Sequence, residues 1–225
     1  MQGVFKLKKI YVFLGPPGSG KGTQAQSLRQ SMDCVVVSTG DLLREEIKRE
    51  TVLGKKIQTV VESGGLVPDE LLIAIIEPLV SGLSQEPGAV IFDGFPRTVG
   101  QAKQFDQLLS TLGRSIEQVL YFDASLELVL ERISGRRICS YCSHTYHVVH
   151  VPPKQTNVCD ECGHSLIVRD DDQANVVRKR YQAYCDQTAI LRSYYEDRCA
   201  VIDTSQSLKV ITRAVLDTFG CGNRC

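Results

Sequence analysis

The sequence carries no excess of either charge: 26 lysines and arginines face 26 aspartates and glutamates, a formal net charge of zero. A protein that grips nucleic acid along its length needs a one-sided basic field, so that class is disfavoured. Long apolar runs are missing too. Leu71 to Ile76, among the longest, falls far short of the about 20 residues a membrane helix needs. No charged start followed by an apolar stretch and a cleavage site marks a signal peptide, so the cytosol is the expected compartment. Neither an internal repeat nor a low-complexity segment is evident. What the chain does have is nine cysteines. A small secreted disulfide scaffold would use them that way, but here the chain is long and four of them form two Cys-x-x-Cys pairs, for which metal is the better explanation. A length of 225 residues suits one compact domain carrying insertions.

The most informative segment is Gly15-Pro16-Pro17-Gly18-Ser19-Gly20-Lys21-Gly22-Thr23, between the apolar run Ile10–Leu14 and the polar stretch Gln24–Gln30. Strand, glycine loop and helix in that order make a phosphate nest. Glycines let successive N–H groups converge, the helix start adds its dipole, and Lys21 brings charge to the outer phosphates. A Gly/Pro turn without function is the bland alternative. The general P-loop pattern places a hydroxyl directly after the lysine; here Gly22 stands there and Thr23 follows one place later.

Apolar β-branched runs recur at Ile10–Leu14, Val35–Val37, Val90–Phe92, Val119–Phe122 and Ala200–Ile202, separated by helical periodicity over 21–31, 41–49, 54–62, 69–82, 100–112, 125–134, 172–196 and 207–218. Such alternation predicts an α/β fold, a parallel sheet flanked by helices with ligands outside the carboxyl ends of the strands. Two stretches break the rhythm. Residues 38–67 read as short helices with a Gly64-Gly65 turn, and 135–172 as a Cys-, His- and Pro-rich piece; both look like insertions over the binding edge.

Asp93 closes the run Val90–Phe92 and precedes Gly94-Phe95-Pro96-Arg97. Beside a P-loop, a carboxylate at a strand end is where Mg2+ or its waters would be held; otherwise Asp-Gly is a turn former. Arg97, Arg132, Arg136, Arg137, Arg169 and Arg180 lie near loops or helix ends on the same side, where guanidinium forks can neutralise and orient phosphoryl oxygens. Arg29, Arg49 and Arg114 are read as solvated. Asp170-Asp171-Asp172 ahead of Arg178-Lys179-Arg180 suit a helix start, with Asp171 and Asp172 orienting the arginines. Cys139-x-x-Cys142 and Cys159-x-x-Cys162, sixteen residues apart, have the spacing of a zinc ribbon. Four thiolates make a closed tetrahedral site that staples and does not catalyse. His144, His147, His150 and His164 stand nearby but are not needed to fill it, and disulfides or free thiols are the alternatives. Cys34, Cys185 and Cys199 read as core residues, Cys221 and Cys225 as a frayed tail.

Taken together, the chain resembles the adenylate kinases of the long-lid, zinc-containing bacterial type. The resemblance runs over nearly the whole chain and rests on Gly15–Gln24, Ser38-Thr-Gly-Asp-Leu-Leu-Arg44, Gly65-Leu-Val-Pro-Asp69, Asp93-Gly-Phe-Pro-Arg-Thr98 with Gln101, Gly135-Arg-Arg137, the four cysteines, and Arg169, Asp171, Asp172 and Arg180. In that family the Gly22-Thr23 order is normal. The resemblance implies a P-loop nucleoside monophosphate kinase fold with a parallel five-stranded sheet. A core of 1–37, 68–134 and 173–225 would carry an NMP-binding insertion, 38–67, and a zinc-bearing lid, 135–172.

It further implies the reaction Mg-ATP plus AMP giving two ADP, in a monomer. Lys21, Asp93, Arg97, Arg136, Arg169 and Arg180 would be catalytic. ATP would meet Gly18, Ser19, Gly20, Lys21, Gly22, Thr23, Arg132, Arg136, Thr145, Tyr146 and the backbone near Gln206. AMP would meet Thr39, Arg44, Gly65, Leu66, Val67, Gly94, Phe95, Pro96, Arg97, Gln101, Arg169 and Arg180, with the Gln101 amide offering donor and acceptor to the adenine edge. Structural zinc would sit on Cys139, Cys142, Cys159 and Cys162. A kinase for another monophosphate is the near rival, disfavoured by the length of 135–172. A zinc-ribbon nucleic-acid binder is the distant one, since Arg136, Arg137 and Lys154 are offset by Asp160, Glu161 and Asp170–Asp172.

Overall fold

A computed structural model describes residues 9–62, 66–83 and 88–220. The expected Gly64-Gly65 turn and the cysteines Cys221 and Cys225 lie outside the described residues. Five strands, β1 (Lys9–Leu14), β2 (Cys34–Ser38), β3 (Ala89–Asp93), β4 (Ile116–Asp123) and, later in the chain, β8 (Cys199–Asp203), form one parallel sheet in the order β2-β3-β1-β4-β8. β1 is central, so both its faces are covered and its run after the exposed Lys9 is apolar. The alternation of strand side chains divides it between two cores. Ile10, Val12 and Leu14 join Val90, Phe92 and Phe105 on one face; Tyr11 and Phe13 join Ile91, Leu120, Phe122 and Ile211 on the other.

Helices α1 (Lys21–Ser31), α2 (Thr39–Lys48), α3 (Val52–Glu62), α4 (Asp69–Ser81), α5 (Val99–Thr111) and α6 (Leu126–Ser134) follow the strands as the periodicity predicts. Ser38, Thr98 and Ser125 cap α2, α5 and α6 by accepting from the amides of Asp41, Gln101 and Leu128, which fixes where each helix begins. Residues 135–172 fold apart from the main sheet, as β5 (Arg136–Cys139), β6 (Thr145–His147) and β7 (Leu166–Ile167), antiparallel in the order β6-β5-β7.

The helix expected over 172–196 is interrupted. A 3-10 turn at Asp170–Asp172 precedes α7 (Ala174–Ala183), a π turn follows at Tyr184–Thr188, and α8 covers only Leu191–Tyr194; after β8 comes α9 (Leu208–Thr218). The π turn is held by the Ala189 amide donating to the Tyr184 carbonyl at 2.9 Å and by the Tyr184 hydroxyl bonding that of Tyr121 on β4. Cys185, expected in the core, rides the exposed side of this turn, and Cys34 and Cys199 are half-buried. Arg114 is not solvated either; it sits half-buried after α5 with Nη2 donating to the Leu83 carbonyl. Arg29 and Arg49 are exposed as expected.

Phe105 is fully buried, edge-on to Phe92 at 4.8 Å and to Phe95 at 5.1 Å between ring centroids. Phe105→Ala removes that packing and should cost about 3–5 kcal/mol in urea unfolding; a loss below about 1 kcal/mol contradicts this core assignment.

Candidate active site

The carboxyl ends of the strands open into one cleft of about 830 Å³. At its floor the loop after β1 is built by glycines in the left-handed region, Gly18 (φ 72°) and Gly20 (φ 96°). A Cβ on Gly18 would stand 2.8 Å from Ile133 Cγ1, so the loop packs too closely for any side chain. Gly20 begins α1 without a side-chain cap, leaving the first amides of that helix for a ligand. Lys21 Nζ donates to the carbonyls of Gly15 (2.9 Å) and Pro16 (2.7 Å) and to Ser19 Oγ (3.2 Å). Burial, then repulsion from Arg97, Arg180 and Arg136, lowers its pKa to about 8, against the pull of Asp93.

Asp93 ends β3 facing that lysine, and burial raises its pKa while Lys21 and Arg97 oppose. Gly22 has no side chain to screen it, since a Cβ there would lie 3.6 Å from Asp93 Oδ2. The carboxylate therefore looks onto the phosphate nest, a donor set that fits Mg2+ carried by a polyphosphate.

Five arginines, Arg44, Arg97, Arg136, Arg169 and Arg180, converge on the same cleft. Burial first and neighbouring guanidinium groups second lower Arg97 and Arg169 to about 10, still charged at neutral pH. Carboxylates hold them. Arg180 Nη1 donates to Asp171 Oδ2 at 2.6 Å, and Arg136 forms a two-point pair with Asp172. Arg44 Nη2 donates to Asp41 Oδ1 at 2.6 Å, and Arg169 reaches the same oxygen at 3.9 Å, its buried Nε without a hydrogen bond. Arg97 Nε donates to the Gly94 carbonyl at 2.7 Å.

Most residues singled out from the sequence meet here. Gly18, Gly20, Lys21, Gly22, Thr23, Leu66, Val67, Gly94, Pro96, Arg132, Thr145, Tyr146 and Gln206 all line the cleft with the arginines. Arg132 joins two of the elements, donating to the carbonyls of Ser19 (3.3 Å) and Thr204 (2.5 Å). Others stand behind the wall. Thr39 is buried and donates to the Asp93 and Gly94 carbonyls, and the Phe95 ring is in the core. Gln101 is buried with both amide ends taken, accepting from the Arg97 amide (2.8 Å) and donating to Asp69 Oδ1 (2.7 Å). Arg137 does not join the cluster; its Nη1 donates to the carbonyls of Ser134 and Arg136. Gly65 is outside the described residues. Asp41 and Thr188, both in the cleft wall, were not picked out, although Asp41 lies inside a motif quoted for the resemblance.

Cys139, Cys142, Cys159 and Cys162 bring all four sulfurs within 4.8 Å of one another, and Cys142 also lines the cleft. The separations of 3.4, 3.6 and 3.5 Å for Cys139–Cys162, Cys142–Cys159 and Cys142–Cys162 are close to the about 3.8 Å edge of a tetrahedron with 2.3 Å metal–sulfur bonds. Each pair forms the same turn. Ser143 (φ 60°) and Gly163 (φ 73°) follow, the Cys139 and Cys159 carbonyls accept their amides, and Cys139 and Cys159 amides donate to His144 and His164 carbonyls. A short repeat, Cys-x-x-Cys-x-His, thus exists where none was read from the sequence. No histidine ligand is required. Tyr146 ties this cluster to the cleft, its hydroxyl 3.4 Å from Cys159 Sγ and accepting from the Asp160 amide.

A parallel sheet with a glycine phosphate nest at one strand end, a carboxylate at the next and a ring of arginines above defines a P-loop phosphotransferase of the nucleoside monophosphate kinase class. Comparison narrows this. A profile of the family described as "Adenylate kinase" matches residues 13–200. Proteins named adenylate kinase from Thermosipho melanesiensis (41% identical; 92% of this chain, 97% of the relative) and Anaeromyxobacter dehalogenans (42%; 92% and 99%) align over nearly their whole length. The relative from Fervidobacterium nodosum is 39% identical over 93% of this chain and 96% of its own. The chain belongs to the adenylate kinase family.

Lys21 gives a pH test. Burial lowers its pKa to about 8 from the ordinary 10.5, so it sheds its proton as pH rises through 8. A bound triphosphate favours the ammonium and restores the proton. Binding of Mg-ATP should therefore take up close to one proton at pH about 9 and almost none from this group at pH about 6.5, with affinity falling above pH 8. Calorimetry in buffers of different ionisation heat measures it; uptake that stays constant between those values contradicts the lysine's role.

Proposed function

We propose that this protein transfers the γ-phosphoryl group of Mg-ATP to AMP, reversibly, giving two ADP. The observation that carries the reading is the convergence, in one cleft, of the glycine nest with Lys21 and of Arg44, Arg97, Arg136, Arg169 and Arg180. In this reading ATP occupies the side of Gly18–Thr23, Arg132, Thr145, Tyr146 and Gln206. AMP takes the side of Thr39, Arg44, Gly65, Leu66, Val67, Gly94 and Arg97. Arg136, Arg169 and Arg180 stand between them, where charge develops on the transferring group.

The chain's own work is positioning. Lys21 exchanges its carbonyl partners for phosphate oxygens, and the guanidinium forks hold donor and acceptor in line. Mg2+, held with ATP next to Asp93, would supply charge neutralisation between the phosphates. No covalent intermediate on the protein is needed. Water must be kept out, which gives 38–67 and 135–172 their role as an NMP-binding flap and a lid over the core of 1–37, 68–134 and 173–225. The four thiolates suit a closed, structural zinc that stiffens the lid and stays out of the chemistry. Among the described residues no helix is long and apolar enough to cross a membrane; we assign the enzyme to the cytoplasm, as a monomer without nucleic-acid partners.

Gln101 is proposed to read the adenine edge, for which its amide must leave Asp69 or the Arg97 amide. An acceptor panel of AMP, CMP, UMP and GMP with Mg-ATP tests the base: AMP should be preferred by at least about tenfold in kcat/KM, and preference for another acceptor overturns the assignment. Cys159→Ser should lower bound zinc below one per chain and lower Tm by several degrees, with turnover at low temperature the least affected. Unchanged zinc stoichiometry rules out the four-cysteine site.

A further inference from the structure

We propose that Thr188 is a positioning residue for the phosphoryl acceptor, acting through Arg97, and that the π turn at Tyr184–Thr188 exists to present it. The proposal rests on the reading of Arg97 as a ligand of the acceptor phosphate. Thr188 is 5% exposed and its Oγ1 donates to the Arg97 carbonyl at 2.7 Å, across ninety-one residues of chain. Gln101 Oε1 accepts from the Arg97 amide at 2.8 Å. Both backbone polar groups of this one residue are thus fixed by side chains from other elements, and with them the direction in which its guanidinium leaves the loop.

The helix reaches Arg97 by a change of register. The Ala189 amide donates to the Tyr184 carbonyl five residues back, one more than an α-helix allows. Continued as a regular helix, the chain would turn residue 188 by about 100° around the axis, away from the Arg97 loop. Tyr184, at the start of the turn, is anchored to β4 through the Tyr121 hydroxyl, so the bulge is supported from the sheet. Without the Thr188 donor the part-buried Arg97 carbonyl loses its side-chain partner, and the loop relieves this by rotating the peptide that aims the guanidinium.

Steady-state kinetics with Mg-ATP and AMP on the full chain, comparing Thr188→Val, Thr188→Ser and Arg97→Ala, test the assignment. Thr188→Val, equal in shape but without the hydroxyl, should lower kcat/KM for AMP about tenfold and leave KM for ATP within about twofold; Thr188→Ser should recover AMP efficiency to within about twofold. If Thr188→Val does not fold, Thr188→Ala carries the same expectation. Unchanged AMP efficiency in Thr188→Val alongside a loss in Arg97→Ala overturns this proposal alone. Equal loss toward both nucleotides, or no recovery with serine, assigns Thr188 a merely structural role and overturns it too. If Arg97→Ala itself leaves AMP efficiency intact, the reading of Arg97 falls and the proposal with it.

Discussion

Confined positive charge governs the arrangement of this molecule. Lys21 and a cluster of arginines share a cleft from which burial removes much of the water that would screen them, and the affinity of Lys21, Arg97 and Arg169 for their protons is reduced by that burial. Asp41, Asp171 and Asp172 offset part of this by pairing with Arg44, Arg180 and Arg136. Arg97 and Arg169 are left with weaker relief, a carbonyl in one case and a carboxylate at 3.9 Å in the other. A site organised in this way is complementary to an anion bearing several charges. Preorganised cations cost stability in the empty protein, and that cost is what makes them effective when phosphate arrives.

The carboxylates also explain how the arginines keep their geometry. Asp171 and Asp172 belong to a single 3-10 turn, so two guanidinium groups are oriented by adjacent residues whose backbone moves as one. Asp41 sits in the first turn of α2, where the helix dipole favours its charge, and it faces Arg169 from the other side of the cleft. Opposite walls of the site are therefore joined through one oxygen. Such a contact, partly exposed and long for Arg169, is easily exchanged for a phosphate.

Legibility in the sequence followed the chemistry's tolerance. The phosphate nest demands glycine at Gly18 and Gly20 because their backbone is left-handed and Ile133 fills the space beside Gly18; so strict a demand leaves a readable pattern. The arginines were legible as a set for a similar reason, since only guanidinium groups serve there. Arg137 has the same composition and neighbourhood but points elsewhere, because alternation along β5 turns successive side chains to opposite faces. The π turn was invisible: apolar spacing over 172–196 fits a helix, and one added residue per turn leaves no mark in composition. Cys185 was misplaced with it, since the extra residue rotates that cysteine outward. The twin turns of the cysteine cluster escaped notice because what they share is backbone geometry, with only cysteine and histidine fixed.

How a piece as small as 135–172 can form a defined wall of the cleft is the remaining structural question, and its answer lies in sulfur. Its own apolar cluster consists of Cys139, Tyr146, Cys159 and Leu166, with Cys162 packed alongside. Burying so few side chains yields only a few kcal/mol, whereas ordering the backbone costs about 1–2 kcal/mol per residue. Hydrophobic packing alone therefore cannot hold this segment, and three of the four clustered groups are thiols or the tyrosine bonded to one. Tyr146 belongs to β6, the same strand that presents Thr145 to the cleft. Order at the sulfur cluster is therefore coupled along that strand to the cleft wall, which Cys142 also lines.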